Sequence, residues 1–379
     1  MIVYTSITKS YLPKARILAK SVKKFHPNWI FVLLYSDDLP SEFNLSNEPF
    51  DELLMIDELG IANWKGWGFK HTIVELCTAV KGTAAEHLAN RMNNDKIMYL
   101  DPDIKVFSSL EELSNKLDTY DILLTPHLLI MEENDTAIQD NEISTLKHGI
   151  YNLGFFAAKT SGQGLEFIQW WAARLRKYCF DDIPNGLFTD QKWCDLAPAF
   201  FSNLHILRDT ACNVATWNIA HRNLTLENNI FHIDSKPLKF YHFTGYDSGA
   251  GFAMLEKYAS NHDVAAALWK DYGQDLTDSG QNKNMQKYWK YDVFENDEKI
   301  LPAMRKLYKS RIDLQRAFPN PFKTTKPSYY HWLKAEYKDM SKIEISDKST
   351  TLLQKSFDTI KAEGTVVLLK KIFHKLNKK

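Results

Sequence analysis

The sequence has few cysteines, and none of them are spaced as a pair. Cys77, Cys179, Cys194 and Cys212 lie far apart in a chain of 379 residues, and no C-x-x-C motif occurs. This spacing excludes a disulfide-bonded scaffold or a structural zinc site from the prediction. Unpaired cysteines also fit a reducing compartment such as the cytosol.

Long apolar runs and an excess of either charge are missing too. No hydrophobic run approaches the length that a bilayer requires. The chain opens on the strand-like IVYTSI without a basic and apolar leader, so we expect no secretory signal and a cytoplasmic location. Lysine and arginine number 47, as do aspartate and glutamate, so nucleic acid is not expected as a partner.

The pattern of apolar residues predicts an α/β fold with a mainly parallel sheet flanked by helices. Residues 2–7 and 30–35 are predicted strands on either side of an amphipathic helix at 12–25, and the run IFVLLY is typical of a strand buried on both faces. Further predicted strands are 96–100, 120–125, 150–158, 204–207, 230–233 and 239–243, and further helices are 70–91 and 163–178. We expect a catalytic domain over residues 1–255 and a polar, helical accessory region over 256–379.

The segment KIMYLDPDIKVF delivers two aspartates at the end of a buried strand. Pro102 favours an extended conformation at Asp101, and in an extended chain Asp101 and Asp103 point to the same face. Two such carboxylates suit Mg²⁺ or Mn²⁺, with phosphate oxygens as further ligands. Two other interpretations stay open: a solvated Asp-Pro-Asp turn, and a phosphotransferase in which Asp101 is the nucleophile.

With three later segments, YLDPDIKV resembles the GT-A glycosyltransferases, which have a Rossmann-like fold, and especially bacterial relatives of glycosyltransferase family 8. The later segments are YNLGFFAAK (151–159), FTDQKW (188–193) and YHFTGY (241–246). The resemblance implies a metal site formed by Asp101, Asp103 and His242, with Mn²⁺ or Mg²⁺ as the ion. It also implies a nucleotide-sugar donor, with a UDP-sugar expected.

The resemblance further implies which residues contact the donor. Asp190 and Gln191 would face the anomeric carbon as the catalytic pair. The remaining donor contacts would come from Thr5, Ser6, Ile7, Tyr11, Lys81, Asp101, Asn152, Gly154 and Gly245. Trp64 and Trp67, in NWKGWG, are predicted to lie in a loop where they could stack on sugar rings.

The predicted function is transfer of a sugar to a saccharide or lipid-linked acceptor in bacterial surface polysaccharide or glycolipid assembly. Retention of anomeric configuration is favoured, and inversion with Asp190 as the base is the alternative. Two alternatives from other classes remain. A nucleotidyltransferase shares the sheet and the metal, although TSITKSY lacks the glycine-rich basic signature of that class. A non-catalytic carbohydrate-binding or scaffold protein is the other.

Residues 365–379, TVVLLKKIFHKLNKK, form a predicted basic amphipathic helix. Val366, Leu369, Phe373 and Leu376 share one face, and five lysines lie on the rest of the helix. Such a helix can rest on an anionic lipid surface at the inner face of the cytoplasmic membrane. A lysine-rich helix that packs on its own domain is the alternative.

We therefore expect the full chain to float with vesicles that contain anionic lipid, and a variant lacking residues 365–379 to remain in the soluble fraction. The reason is that apolar insertion and lysine attraction act together only on a charged surface. Vesicles of neutral lipid are the control. Equal flotation of the two proteins would remove the membrane contact.

Overall fold

The computed structural model describes residues 1–91, 95–281 and 289–337. The strands are β1 Ile2–Ile7, β2 Ile30–Tyr35, β3 Glu52–Met55, β4 Lys96–Leu100, β5 Ile104–Val106, β6 Ile122–Pro126, β7 Tyr151–Lys159, β8 Asp181–Asp182, β9 Leu187–Phe188, β10 Leu204–Ile206, β11 Leu224–Glu227, β12 Ile230–Ile233, β13 Lys236–Pro237 and β14 Phe240–His242. The predicted helix at 365–379 lies outside the described residues.

The α-helices alternate with these strands in the first half of the chain and dominate the second. They are α1 Leu12–Phe25, α2 Trp64–Phe69, α3 Ile73–Arg91, α4 Glu111–Thr119, α5 Asp135–Ala137, α6 Ser144–His148, α7 Gly162–Tyr178, α8 Ala197–Phe200, α9 Ala250–Tyr258, α10 His262–Asp278, α11 Pro302–Ser310, α12 Ile312–Ala317 and α13 Tyr329–Glu336. A π-helical turn, Ile138–Ile143, joins α5 to α6. Among the described residues, no helix is both long and apolar enough to cross a membrane.

A central sheet carries the fold. Within the described residues it has seven strands in the order β10-β6-β7-β4-β1-β2-β3. Only β7 runs against its neighbours, and the other adjacent pairs are parallel. This confirms the predicted α/β class with a mainly parallel sheet flanked by helices.

Both faces of the sheet are covered, as the continuous apolar runs predict. Side chains of one face of β1 and β2 pack with α3 and α7, and those of the other face pack with α1 and α4. The α3–α7 crossing is close because Gly82 has no side chain: a Cβ there would lie 2.8 Å from the Cα of Ala172. Helix α3 begins at Ile73 because Thr72 and Glu75 form a capping box, in which the Thr72 N–H donates to the Glu75 carboxylate at 2.7 Å.

The prediction of a binding loop at Trp64 and Trp67 is wrong. The segment forms helix α2, and Trp67 is buried in the core with its indole N–H donating to the Arg176 carbonyl at 2.7 Å. Trp64 packs edge-on against Tyr291 instead of facing a cavity. Burial of Trp67 and Phe69 outweighs the loop preference of the two glycines, because large aromatic side chains contribute most when they leave water.

Residues 289–337 form a helical unit on this α2 surface, which confirms a helical C-terminal region as far as the chain is described. A cluster of aromatic and aliphatic side chains from α11 to α13 surrounds Phe69. Arg305 donates to the Phe69 and His71 carbonyls at 3.0 Å each. Trp289 donates to the Ser36 carbonyl at the end of β2, and the Lys290 N–H donates to Asp37. The division at residue 255 stays a prediction.

Candidate functional site

A cavity of about 830 Å³ opens at the edge of the sheet where β1 and β4 end. Because β7 runs in the opposite direction, its first residues, Asn152 and Gly154, reach the same edge. Ligands of open α/β sheets bind beyond the carboxyl ends of the strands, so the fold itself favours this position. The cavity lining includes Ser6, Ile7, Tyr11, Lys81, Asp101, Asp103, Asn152, Gly154, Asp190, Gln191 and His242.

Asp101, Asp103 and His242 converge in this cavity. One ligand atom from each side chain lies within 4.8 Å of the others. His242 Nε2 is 3.1 Å from Asp103 Oδ1 and 3.9 Å from Asp101 Oδ2. Three ligand atoms this close together could hold one divalent cation.

Backbone hydrogen bonds explain why the three side chains converge, and they replace the extended conformation that Pro102 led us to expect. The Ile104 N–H donates to the Asp101 carbonyl at 3.0 Å and closes a tight turn, so the extended-chain argument is wrong. His242 arrives from β14, which pairs with β5 and sets His242 opposite Ile104. The Phe243 N–H donates to the Asp103 carbonyl at 2.8 Å.

The charges of this trio support one another. Burial alone would raise the pKa of Asp103 and lower the pKa of His242. Their mutual attraction outweighs burial, so the pKa of Asp103 is lowered and that of His242 is raised. Two carboxylates and an imidazole are suitable ligands for Mn²⁺. The residues present therefore fit a divalent metal ion.

Lys81 is the buried cation of the site. Its Nζ lies 3.0 Å from Asp101 Oδ1 and 3.0 Å from Asp190 Oδ2, and it donates to the Leu153 carbonyl at 3.2 Å. The side chain is only 4% exposed, so Lys81 is not a solvated lysine on the surface of α3. Burial opposes the charge, yet the two carboxylates together raise the pKa of Lys81.

Asp190 and Gln191 follow β9 and line the same cavity. The Asp190 carboxylate accepts from the Thr189 hydroxyl at 3.2 Å, and burial raises its pKa despite Lys81. Thr189 has a φ of 42°, a left-handed conformation that non-glycine residues rarely adopt. The Gln191 amide donates to the His148 carbonyl at 3.0 Å, which connects this segment to α6.

Two of the predicted donor contacts do not line the cavity. Thr5 is fully buried within β1, and Gly245 forms a turn with a φ of 69° whose missing side chain leaves room for Gly251. Their roles as donor contacts stay predictions.

The cavity also has lining residues that the sequence predictions missed, among them His127, Trp217, Asp140 and Asp247. His127 follows the end of β6, and a polar residue at that position is the kind of signal that marks Asp101 after β4.

Comparison with known proteins gives distant matches. No family model matches the chain. YfnF of Bacillus subtilis (strain 168), an uncharacterized protein, is 23% identical over 249 residues, which are 64% of this chain and 80% of YfnF. YfnD of the same strain, also uncharacterized, is 24% identical over 178 residues, which are 46% of this chain and 55% of YfnD.

Solved structures to which the chain is similar include two glycosyltransferases. The galactosyltransferase LgtC, in complex with donor and acceptor sugar analogues, is 16% identical with a TM-score of 0.45, over 73% of this chain and 96% of LgtC. GlyE of Streptococcus pneumoniae TIGR4 is 16% identical with a TM-score of 0.39, over 78% of this chain and 66% of GlyE. Likeness at this level assigns no activity to the chain.

Replacing Lys81 tests the charge balance of the site. Lys81→Met leaves the Asp190 carboxylate buried without a cation, and we expect a loss of about 3 kcal/mol or more in the free energy of unfolding at about pH 8. Loss of the ammonium raises the pKa of Asp190 further. The deficit should therefore shrink toward about pH 5, where the folded variant takes up a proton that the unfolded chain does not hold.

Urea unfolding of both proteins across this pH range measures the effect. Lys81→Met/Asp190→Asn is the control, since it removes the unpaired charge and should recover part of the loss at about pH 8. A deficit that is small, or that grows on acidification, would contradict the assignment of Lys81 as counter-ion.

Proposed function

We propose that this protein is a metal-dependent glycosyltransferase that moves a sugar from a nucleotide-diphosphate sugar, with UDP as the expected carrier, to a saccharide or lipid-linked acceptor. The observation that carries the proposal is the convergence of Asp101, Asp103 and His242 on one side of a large cavity at the carboxyl ends of the strands. Oxygen and imidazole ligands in such a cleft are suited to an ion that also binds phosphate oxygens.

Asp101, Asp103 and His242 would hold the metal. When bound, a divalent ion neutralises the charge that develops on the leaving diphosphate. The side chains of this trio are at most 23% exposed, so few waters compete with a phosphate ligand. This chemistry favours a donor with a diphosphate over one with a neutral leaving group.

The shape of the cavity supports a donor of this size. Its volume of about 830 Å³ falls in the range of small-molecule sites. Ser6, Ile7 and Tyr11 line it beside the end of β1, where a nucleoside would fit. Asn152 and Asp190 line it beyond the metal cluster and offer polar groups to the hydroxyls of a sugar.

The surroundings of Asp190 support retention of configuration. An inverting enzyme needs a carboxylate that is free to accept the proton of the acceptor hydroxyl. Asp190 is 4% exposed, its Oδ2 lies 3.0 Å from Lys81 Nζ and its Oδ1 accepts from the Thr189 hydroxyl, so each oxygen already lies against a cation or a hydroxyl of the protein. A fixed carboxylate of this kind is better suited to stabilising positive charge at the anomeric carbon.

The retaining step requires no base from the protein. The bond between the anomeric carbon and the diphosphate oxygen breaks, and the acceptor oxygen bonds to the carbon on the same face. The acceptor proton passes to the departing diphosphate oxygen. Asp190 and Gln191 would hold the donor sugar in position during this exchange.

We expect NMR of the isolated product to show the anomeric configuration of the donor, because the acceptor reaches the sugar from the side that the diphosphate leaves. Asp190→Asn should reduce the rate without changing the configuration, since the residue stabilises charge and takes no proton. An inverted product from the wild-type protein would instead make Asp190 the base.

The acceptor and its cellular role are part of the same proposal. Val74 lines the cavity and is 62% exposed, so an apolar side chain stands at the mouth where an acceptor would enter. A single exposed apolar side chain is compatible with a lipid-linked saccharide as well as a free one. We propose that the protein acts in bacterial surface polysaccharide or glycolipid assembly, in the cytoplasm, with membrane contact through residues 365–379.

The metal requirement is the sharpest test of this function. Asp103→Asn is nearly isosteric. We expect it to abolish the Mn²⁺-dependent thermal stabilisation by the donor and to lower the transfer rate at least about 100-fold. The measurements are thermal unfolding with a panel of nucleotide-sugars in Mn²⁺ or chelator, and product formation with the donor that stabilises most.

Asp118→Asn is the matched control. Asp118 is an exposed aspartate that pairs with Lys96 far from the cavity lining, so both readouts should match the wild-type protein. Full transfer activity in excess chelator, or in the Asp103→Asn variant, would contradict the proposed function.

A further inference from the structure

The nitrogen of His242 that faces away from the carboxylates has a partner of its own. His242 Nδ1 lies 3.3 Å from Asn152 Oδ1, while Nε2 faces Asp101 and Asp103. A metal ligand must present a lone pair, so a ring that binds metal through Nε2 must carry its proton on Nδ1. Asn152 Oδ1 accepts that proton.

The hydrogen bonds continue from Asn152 to His127. Asn152 Nδ2 lies 3.2 Å from His127 Nε2, and His127 Nδ1 lies 3.3 Å from the Ile150 carbonyl oxygen. These contacts form a chain of four groups that ends on the peptide backbone. Apart from the backbone carbonyl, every member can act as donor or acceptor.

The backbone carbonyl of Ile150 determines which atoms donate and which accept along these hydrogen bonds. A carbonyl only accepts, so His127 must carry its proton on Nδ1 and accept at Nε2. The Asn152 side chain must then turn its amide nitrogen to His127 and its oxygen to His242. That orientation in turn leaves Nδ1 of His242 as a donor and Nε2 as the metal-facing lone pair.

Packing holds the members of the chain in place. The His127 N–H donates to the Ile150 carbonyl at 2.9 Å, and the Asn218 amide donates to the His127 carbonyl at 3.1 Å. Trp217 packs edge-on against both imidazoles, with ring centroids 5.4 Å away in each case. Gly154 leaves space for His242, because a Cβ there would lie 2.6 Å from His242 Cε1.

Burial also keeps His127 in the form that this chain requires. It lowers the pKa of His127 to about 4, so the ring is neutral near pH 7 and Nε2 can accept.

We propose that His127 is a positioning residue that sets the tautomer and orientation of His242 through Asn152, and so raises the affinity of the site for a divalent cation. The inference rests on the proposed metal-dependent function. His127 touches neither the cation nor the reacting atoms. Partners that orient a metal-binding histidine in this way typically change metal affinity by about 10-fold to 100-fold.

Binding of Mn²⁺ alone to the purified full chain, measured by the EPR signal of the free ion, tests the proposal without donor or turnover. We expect His127→Phe, which keeps a ring against Trp217 but removes the acceptor, to weaken binding about 10-fold. His127→Gln should retain most of the affinity, because a glutamine amide can accept from Asn152 and donate to Ile150.

His148→Phe is the matched control. His148 lines the same cavity, but its Nδ1 contacts Ser144 rather than the chain of hydrogen bonds, so Mn²⁺ binding should match the wild-type protein. Wild-type affinity in His127→Phe, or an equal loss in His127→Phe and His127→Gln, would overturn the proposal. If the wild-type protein itself bound no Mn²⁺, that result would contradict the proposed metal-dependent function and not only the role of His127.

A measurement without destabilising substitutions covers the case in which His127→Phe does not fold. Long-range ¹H–¹⁵N NMR of the metal-free protein, labelled in histidine, reports which nitrogen of each neutral ring carries the proton. The His127 signal, identified by its absence in His127→Gln, should show the proton on Nδ1. A proton on Nε2 would show that the hydrogen bonds run in the opposite direction and would overturn the proposal.

Discussion

The site depends on how three carboxylates share one small volume. Asp101, Asp103 and Asp190 all line the cavity, and their mutual repulsion in a poorly hydrated pocket would be large without opposite charge. Lys81 lies between Asp101 and Asp190, and His242 lies against Asp103. Lys81 offsets one of the two carboxylates that it contacts, and the Asp103 carboxylate is offset only when His242 is protonated. A ligand that brings a cation therefore relieves the repulsion that remains.

Paired strands hold the three proposed metal-binding side chains in fixed positions. Asp101 follows β4 directly, Asp103 is held through the turn that leads to β5, and His242 is held by the pairing of β14 with β5. Each side chain therefore lies on a strand or directly beside the end of one, and not on a free loop. Positions on paired strands vary less than positions on loops, which favours a ligand set that is organised before the ion arrives.

The sequence predicted most of the fold, because the strands of the central sheet are buried on both faces and leave continuous apolar runs. Among the strands of the described residues it missed β3, β5, β8, β9, β11 and β13. Strand β3 is a short edge strand with partly exposed side chains, and β5 has three residues with Lys105 at its centre. Such strands are defined by their pairing partners, which lie far away in sequence, and not by a local pattern.

The same limit applies to the site. The aspartates of YLDPDIKV are visible because they follow a strong strand, but the ion pair of Lys81 with Asp190 joins residues from distant segments. The sequence pattern around Lys81 does not distinguish a surface helix from a buried one, because α3 has apolar residues on more than one side. The link from His127 through Asn152 to His242 is equally invisible in sequence, because it depends on the reversed direction of β7.

The attachment of residues 289–337 to the end of β2 has a thermodynamic consequence. Trp289 and Lys290 bond to Ser36 and Asp37, and Arg305 bonds to the carbonyls at the end of α2. Asp37 is buried, so detachment of this later segment would expose a carboxylate that the backbone amides of Lys9 and Lys290 now satisfy. Because Lys9 lies in the segment that follows β1, beside the cavity wall, the later helices and the mouth of the pocket share stability. Because Lys9 and Lys290 donate to the same carboxylate, unfolding of the later helices would also weaken the segment that borders the pocket.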